Sequence, residues 1–120
     1  MPSNYARGYA LENDIQRALK KLGYHTIRSS GSHGPIDILG WDSVNRYAIQ
    51  CKKDSSPFSK EAFNLLADWS KDLIATPVLV QRVNRKTTWK ILRRGEDWTG
   101  FKIKPFRQFQ GFKPEKAVYR

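Results

Sequence analysis

The sequence predicts an α/β fold in which two helices pack on a mixed β-sheet, in the order α-β-β-β-α-β-β. Three observations carry that expectation. Two segments place apolar residues at helical spacing, three or four apart. Five shorter apolar runs lie between clusters of turn residues, as strands do. The chain has 120 residues, 39% of them hydrophobic, which is enough for one core and too few for two. Residues 1–120 are therefore expected to form a single domain.

The first helix is expected around Ala6 to Leu22, where Leu11, Ile15, Ala18, Leu19 and Leu22 recur on one side. Gly23 follows as a C-terminal cap, because glycine accepts the left-handed backbone there. Tyr24 to Ser29 reads as a strand with Tyr24, Thr26 and Arg28 on one side. The stretch from Gly31 to Pro35 is a turn, and Pro35 can only open the strand that runs to Trp41. Asp42 to Asn45 is a short turn, and Arg46 to Lys53 is the third strand. Ser59 is a plausible N-cap for a second helix ending near Ala75. Its expected buried stripe is Ala62, Leu65, Leu66, Trp69 and Leu73. Val78 to Val83 is nearly continuous in apolar character, as a central strand should be. Asn84 to Lys86 turns the chain into a partner strand, Thr87 to Arg94.

Residues 95–120 support two readings. Trp98, Phe101, Phe106, Phe109, Phe112 and Tyr119 alternate with lysine and arginine. They form either a basic aromatic arm that stacks on nucleic-acid bases or, the favoured reading, an irregular strand that closes the sheet.

Charge narrows the function. Twenty-two basic residues oppose 11 acidic ones, for a net charge of +11. From Arg82 onward there are 12 basic and 3 acidic residues, so +9 of that excess lies in the C-terminal part. An imbalance of this size points to an anionic partner, and nucleic acid is the first expectation. No long apolar run or lipidation signal indicates a membrane, and no targeting segment is visible, so a cytoplasmic protein is expected. Cys51 is the only cysteine, which excludes an intrachain disulfide. It is expected as a small buried apolar residue. His25 and His33 do not make a zinc pattern with it.

The candidate chemistry lies between Arg28 and Lys53. Asp37 sits in an apolar strand. Gln50 and Lys52, two apart on the next strand, share a face. An acid, an amide oxygen and an ammonium group meeting at a sheet end can hold Mg²⁺ and a phosphodiester. Lys52 would act first through its charge, since an unperturbed lysine is a poor base at neutral pH. Glu12 borders the apolar stripe of the first helix and can complete the set. Asp14 points elsewhere on that helix.

These residues are set as in a known family. Gly8 through Glu12, Arg28-Ser29 with Gly31-Ser32, Pro35-Ile36-Asp37 and Gln50-Cys51-Lys52 resemble the archaeal-type (Hjc-like) Holliday junction resolvases. These belong to the PD-(D/E)xK nucleases, with their restriction-endonuclease-like core. The resemblance covers roughly Arg7 to Val83 well and the tail loosely. It implies Glu12, Asp37, Gln50 and Lys52 as catalytic residues. It implies Glu12, Asp37, Gln50 and the Cys51 carbonyl as ligands of Mg²⁺, for which Mn²⁺ would substitute. It implies that Arg28 and Ser32 contact phosphates, with Arg7, Ser29, His33 and Lys53 along the same DNA path. The implied activity is metal-dependent resolution of four-way DNA junctions by paired symmetric nicks, by a homodimer without a small-molecule cofactor. Phe58, Phe63 and Ile74 would either form the dimer interface or fill the monomer core. Position 50 departs from the family, which mostly has glutamate there. Two other readings follow: a different DNA nuclease of this fold, of repair or restriction type, or a nucleic-acid-binding module with a weakened site.

Overall fold

The computed structural model describes residues 4–29, 34–92 and 99–101. Helix α1 spans Asn4–Lys21 and helix α2 spans Lys60–Leu73. The strands are β1 (His25–Arg28), β2 (Ile38–Trp41), β3 (Arg46–Lys52), β4 (Thr76–Val83), β5 (Lys86–Ile91) and β6 (Thr99–Phe101). They form one six-stranded sheet in sequence order. All neighbours are antiparallel except β3 and β4, which run parallel. A parallel pair needs a crossover, and α2 supplies it. The expected α/β class and element order hold, and β6, within the stretch read as a closing strand, lies at the sheet edge beside β5, the rest of residues 95–120 falling outside the described residues.

Each boundary has a local cause. Gly23 adopts φ 96. Its N–H donates to the Lys20 carbonyl, and the Tyr24 N–H donates to the Leu19 carbonyl. This is the paired bonding that closes a helix on a glycine. The Ser59 hydroxyl accepts from the Ala62 N–H at 3.0 Å and caps α2. Asp42 turns the chain between β2 and β3 by accepting from the N–H groups of Val44 and Asn45. Asn84 and Arg85 both have positive φ, as a two-residue hairpin turn between twisted strands requires.

The sheet has a helix on each face. On one, Leu11, Ile15 and Leu19 of α1 pack on Ile38, Tyr47, Ile49, Val78 and Val80. On the other, Leu66 of α2 packs with Ala48, Leu79 and Leu92, flanked by Ile36, Phe58 and Phe63. Alternation along β3 thus sends Tyr47, Ile49 and Cys51 toward α1, and Ala48, Gln50 and Lys52 toward α2. Each large side chain fully buried here contributes about 1.5–3 kcal/mol.

One expectation fails on α2. Its buried residues are Leu66, Ala67 and Ser70, whereas Leu65, Trp69 and Leu73 are 46%, 45% and 39% exposed. Successive residues on a helix stand about 100° apart. The row 65-69-73 therefore lies one step off the row 66-70 that faces the sheet. Phe58 and Phe63 join the core, and Ile74 stays exposed.

Candidate metal and phosphodiester site

Asp37 lies just before β2, where the ladder loses register. Ile38 is paired with Ile49, yet the Asp37 N–H also donates to the Ile49 carbonyl at 2.8 Å. Two residues of one strand then face one of the next, which is the count of a β-bulge. Side chains lose strict alternation at such a point. The Asp37 Oδ2 accepts from the Cys51 N–H at 2.9 Å. In an extended strand the N–H and C=O of one residue point to the same neighbour, so the Cys51 carbonyl also faces the β2 side. The Gln50 side-chain amide reaches that carbonyl, donating across 3.4 Å. The backbone of Cys51 thus gathers Asp37 and Gln50 at the end of β3.

Glu12, on α1, lies within electrostatic reach of Asp37 and is held by Arg28. Its Oε1 accepts from the Arg28 Nε–H at 2.9 Å, and the two side chains are 20% and 24% exposed. The Arg28 guanidinium carbon lies 4.6 Å from the centre of the Tyr9 ring, a cation–π contact. Asp14 does point away, and pairs with Arg82 and Arg17.

The electrostatics mark Glu12 and Asp37 as a pair. Burial raises the Glu12 pKa, and the Asp37 charge raises it further. Arg28 and Lys53 pull it down without cancelling the rise. Burial likewise raises Asp37 against the Cys51 N–H, Lys53 and Arg28. Burial pushes both carboxylates toward protonation, the Asp37 charge adds to the rise at Glu12, and Arg28 and Lys53 offset only part of it. Burial also raises the Cys51 thiol pKa well above its usual value, and Asp37 and Glu12 add to this. Burial thus disfavours the thiolate, and Cys51 packs as a partly buried group against the α1 core.

Gln50 and Lys52 line a cavity of ≈ 420 Å³ on the α2 side, with Gly34, Pro35, Phe58 and Leu65 among its other walls. Asp37 was expected beside Lys52. The cations that act on Asp37 are instead Lys53 and Arg28, its carboxylate being held by the Cys51 N–H. Lys53 was expected only as a DNA contact, and the alternation that carries Cys51 toward α1 carries it to the same side. Gly34, at φ 92, lies against α2 so closely that a Cβ would come within 2.5 Å of the Trp69 ring. Glycine alone fits that turn. Ser29 donates its backbone N–H to the Asp37 carbonyl. Ser32 and His33 lie outside the described residues, as does the side chain of Arg7.

The donors are two carboxylates, an amide oxygen and a backbone carbonyl. This all-oxygen set suits a hard divalent ion such as Mg²⁺ or Mn²⁺. Among the described residues no group of three His, Cys, Asp or Glu side chains gathers for a metal. A metal would therefore draw on the amide and the carbonyl as well.

A mixed sheet with a helix on each face, carrying carboxylates where the second and third strands meet, defines the nuclease fold of the restriction-endonuclease type. The sequence model of the archaeal Holliday junction resolvase (Hjc) family matches residues 3–104, and the chain belongs to that family. It is 29% identical over 87 residues to the crossover junction endodeoxyribonuclease Hjc of Methanocaldococcus jannaschii. That match takes in 70% of this chain and 65% of the relative's length. The fold is shared with the Archaeoglobus fulgidus Hjc, a Holliday junction resolvase, at a TM-score of 0.59 and 20% identity. The match covers 76% of this chain and 85% of the other.

Proposed function

We propose that this protein is a Mg²⁺-dependent endonuclease that resolves four-way DNA junctions by paired symmetric nicks. The observation that carries this reading is Asp37 held by the Cys51 N–H, with the Glu12 carboxylate within its electrostatic reach, in a chain of this family. Glu12, Asp37, the Gln50 amide oxygen and the Cys51 carbonyl would hold the ion. When bound, it supplies the Lewis acidity and water activation that phosphodiester hydrolysis needs.

The chain's own groups do the rest. The Cys51 N–H fixes one oxygen of Asp37 and so orients the carboxylate. Lys53, on the side of the carboxylates, offers a fixed positive charge to the transition state, while Lys52 lines the cavity on the α2 side. Lys53 and Arg28 balance the carboxylates and receive phosphates. The basic excess draws DNA by its backbone, independently of sequence.

A junction presents two strands related by a two-fold axis, so a two-fold dimer would match one site to each. The exposed row Leu65, Trp69 and Leu73, with Ile74 beside it, supports such a pairing. Among the described residues no helix is long and apolar enough to cross a membrane, in keeping with a protein that acts on DNA in the cytoplasm.

The test is a labelled four-way junction incubated with Mg²⁺ or Mn²⁺. The wild type should make paired nicks, and Asp37→Asn should lose at least about a hundredfold in rate. No cleavage with any divalent ion would overturn the assignment. Gln50, neutral where most of the family is acidic, favours one second reading: a binding module with a weakened site. Tight junction binding without cleavage would select it.

A further inference from the structure

Glu12 is asked to ligate a divalent ion, yet in the structure one of its oxygens already holds the Arg28 Nε–H at 2.9 Å. We propose that Arg28 is a displaceable counter-ion of Glu12. It occupies the carboxylate while DNA is absent and leaves it when a DNA phosphate takes the guanidinium, so that DNA binding and metal loading favour each other. This inference rests on the metal-site reading above.

Three features support the exchange. The contact to Glu12 runs through a single N–H, whereas a phosphate can take two parallel N–H groups of a guanidinium at once and so holds it more strongly. The Tyr9 ring, 4.6 Å from the guanidinium carbon, gives the cation a resting place at the site's border. Asp37 stands near Glu12, so a freed Glu12 leaves two neighbouring carboxylates without their arginine. That arrangement favours a divalent ion over a single positive charge. The coupling must act equally in both directions: whatever DNA adds to metal affinity, metal adds to DNA affinity.

The experiment is a Mn²⁺ titration followed by electron paramagnetic resonance. It compares wild type with Arg28→Met, each with and without a four-way junction of phosphorothioate backbone, which keeps its charge and resists hydrolysis. Without DNA, Arg28→Met should bind Mn²⁺ about 1.5- to fivefold more tightly than wild type, the range a partly exposed ion pair spans. The junction should tighten Mn²⁺ binding more in wild type than in the variant. In a Glu12→Gln background, Arg28→Met should tighten Mn²⁺ binding much less than it does in the wild-type background, leaving only the direct effect of the Arg28 charge on Asp37, and an undiminished gain there would mean simple charge repulsion and overturn the exchange.

Equal Mn²⁺ affinities without DNA, or an equal gain from the junction in both proteins, would overturn the exchange. Asp37→Asn separates the two levels. If it binds Mn²⁺ as well as wild type does, the metal-site reading itself fails. If it loses binding while Arg28→Met behaves as wild type, only the exchange fails. Circular dichroism confirms that each variant is folded, and Arg28→Lys, which keeps the charge but loses the fork, should fall between wild type and the methionine variant.

Discussion

Gln50 brings a neutral amide where the proposed ion would meet two carboxylates, and the consequence can be worked out from charge. Glu12 and Asp37 already repel one another inside a partly buried site. Gln50→Glu would add a third carboxylate beside the Cys51 carbonyl. A divalent ion would then meet one more negative charge, and Mn²⁺ affinity should rise by about tenfold. The metal-free protein should lose thermal stability, because the added charge has no counter-ion until the metal arrives. A calorimetric titration paired with melting curves, with and without Mn²⁺, checks both signs. Unchanged affinity would mean that the side chain at position 50 does not face the ion.

At the scale of elements, the end of α2 carries a local cost. Ile74 closes the helix at φ 53 and ψ 50, a left-handed conformation that a β-branched residue rarely adopts. Its N–H still finds the Lys71 carbonyl, and the Ala75 N–H finds the Ser70 carbonyl. The side chain is 52% exposed, so little packing is gained in return. Ile74→Gly should therefore stabilise the monomer by about 1 kcal/mol, measured by urea unfolding at a protein concentration low enough to exclude self-association. Destabilisation there would show that the exposed isoleucine is held by a partner.

The same helix shows how far the sequence could be read. Apolar spacing and the Ser59 cap were enough to place α2, and alternation was enough to place Gln50 and Lys52 on one face. Spacing alone did not separate the row 66-70 from the row 65-69-73, because both are apolar and only one meets the sheet. It also did not show the hold of the Cys51 N–H on Asp37, since the shift in ladder register at Ile49 is a tertiary event with no signature in Ile36-Asp37-Ile38. Glu12 was visible as a candidate through its position beside the stripe. Its bond to Arg28 required the helix and β1 to be brought together.

For the whole molecule, the net charge of +11 and the buried tyrosines act in opposite directions at high pH. As pH rises past about 10, lysines lose charge and self-repulsion relaxes, which favours the folded state. Tyr24 and Tyr47 oppose this. Their rings meet edge to face with centroids 5.7 Å apart, and both are almost fully buried. Burial pushes Tyr47 up to about 12 and Tyr24 well above its usual value. The native state then keeps phenol protons that the unfolded chain, titrating near pH 10, releases. Stability is full below about pH 10 and falls as pH climbs through the native values. For Tyr47 alone the loss is about 2–3 kcal/mol, two units at roughly 1.4 kcal/mol each. Tyr47→Phe isolates the effect from the lysines. At pH 7 the variant should be less stable by about 1 kcal/mol, since the polar interactions of the buried hydroxyl are gone. By pH 12 the deficit should vanish or reverse, because phenylalanine has no proton to lose. Urea unfolding of both proteins between pH 7 and 12 measures the difference directly, and parallel curves across that range would show that the Tyr47 hydroxyl is not confined to its neutral form by the core.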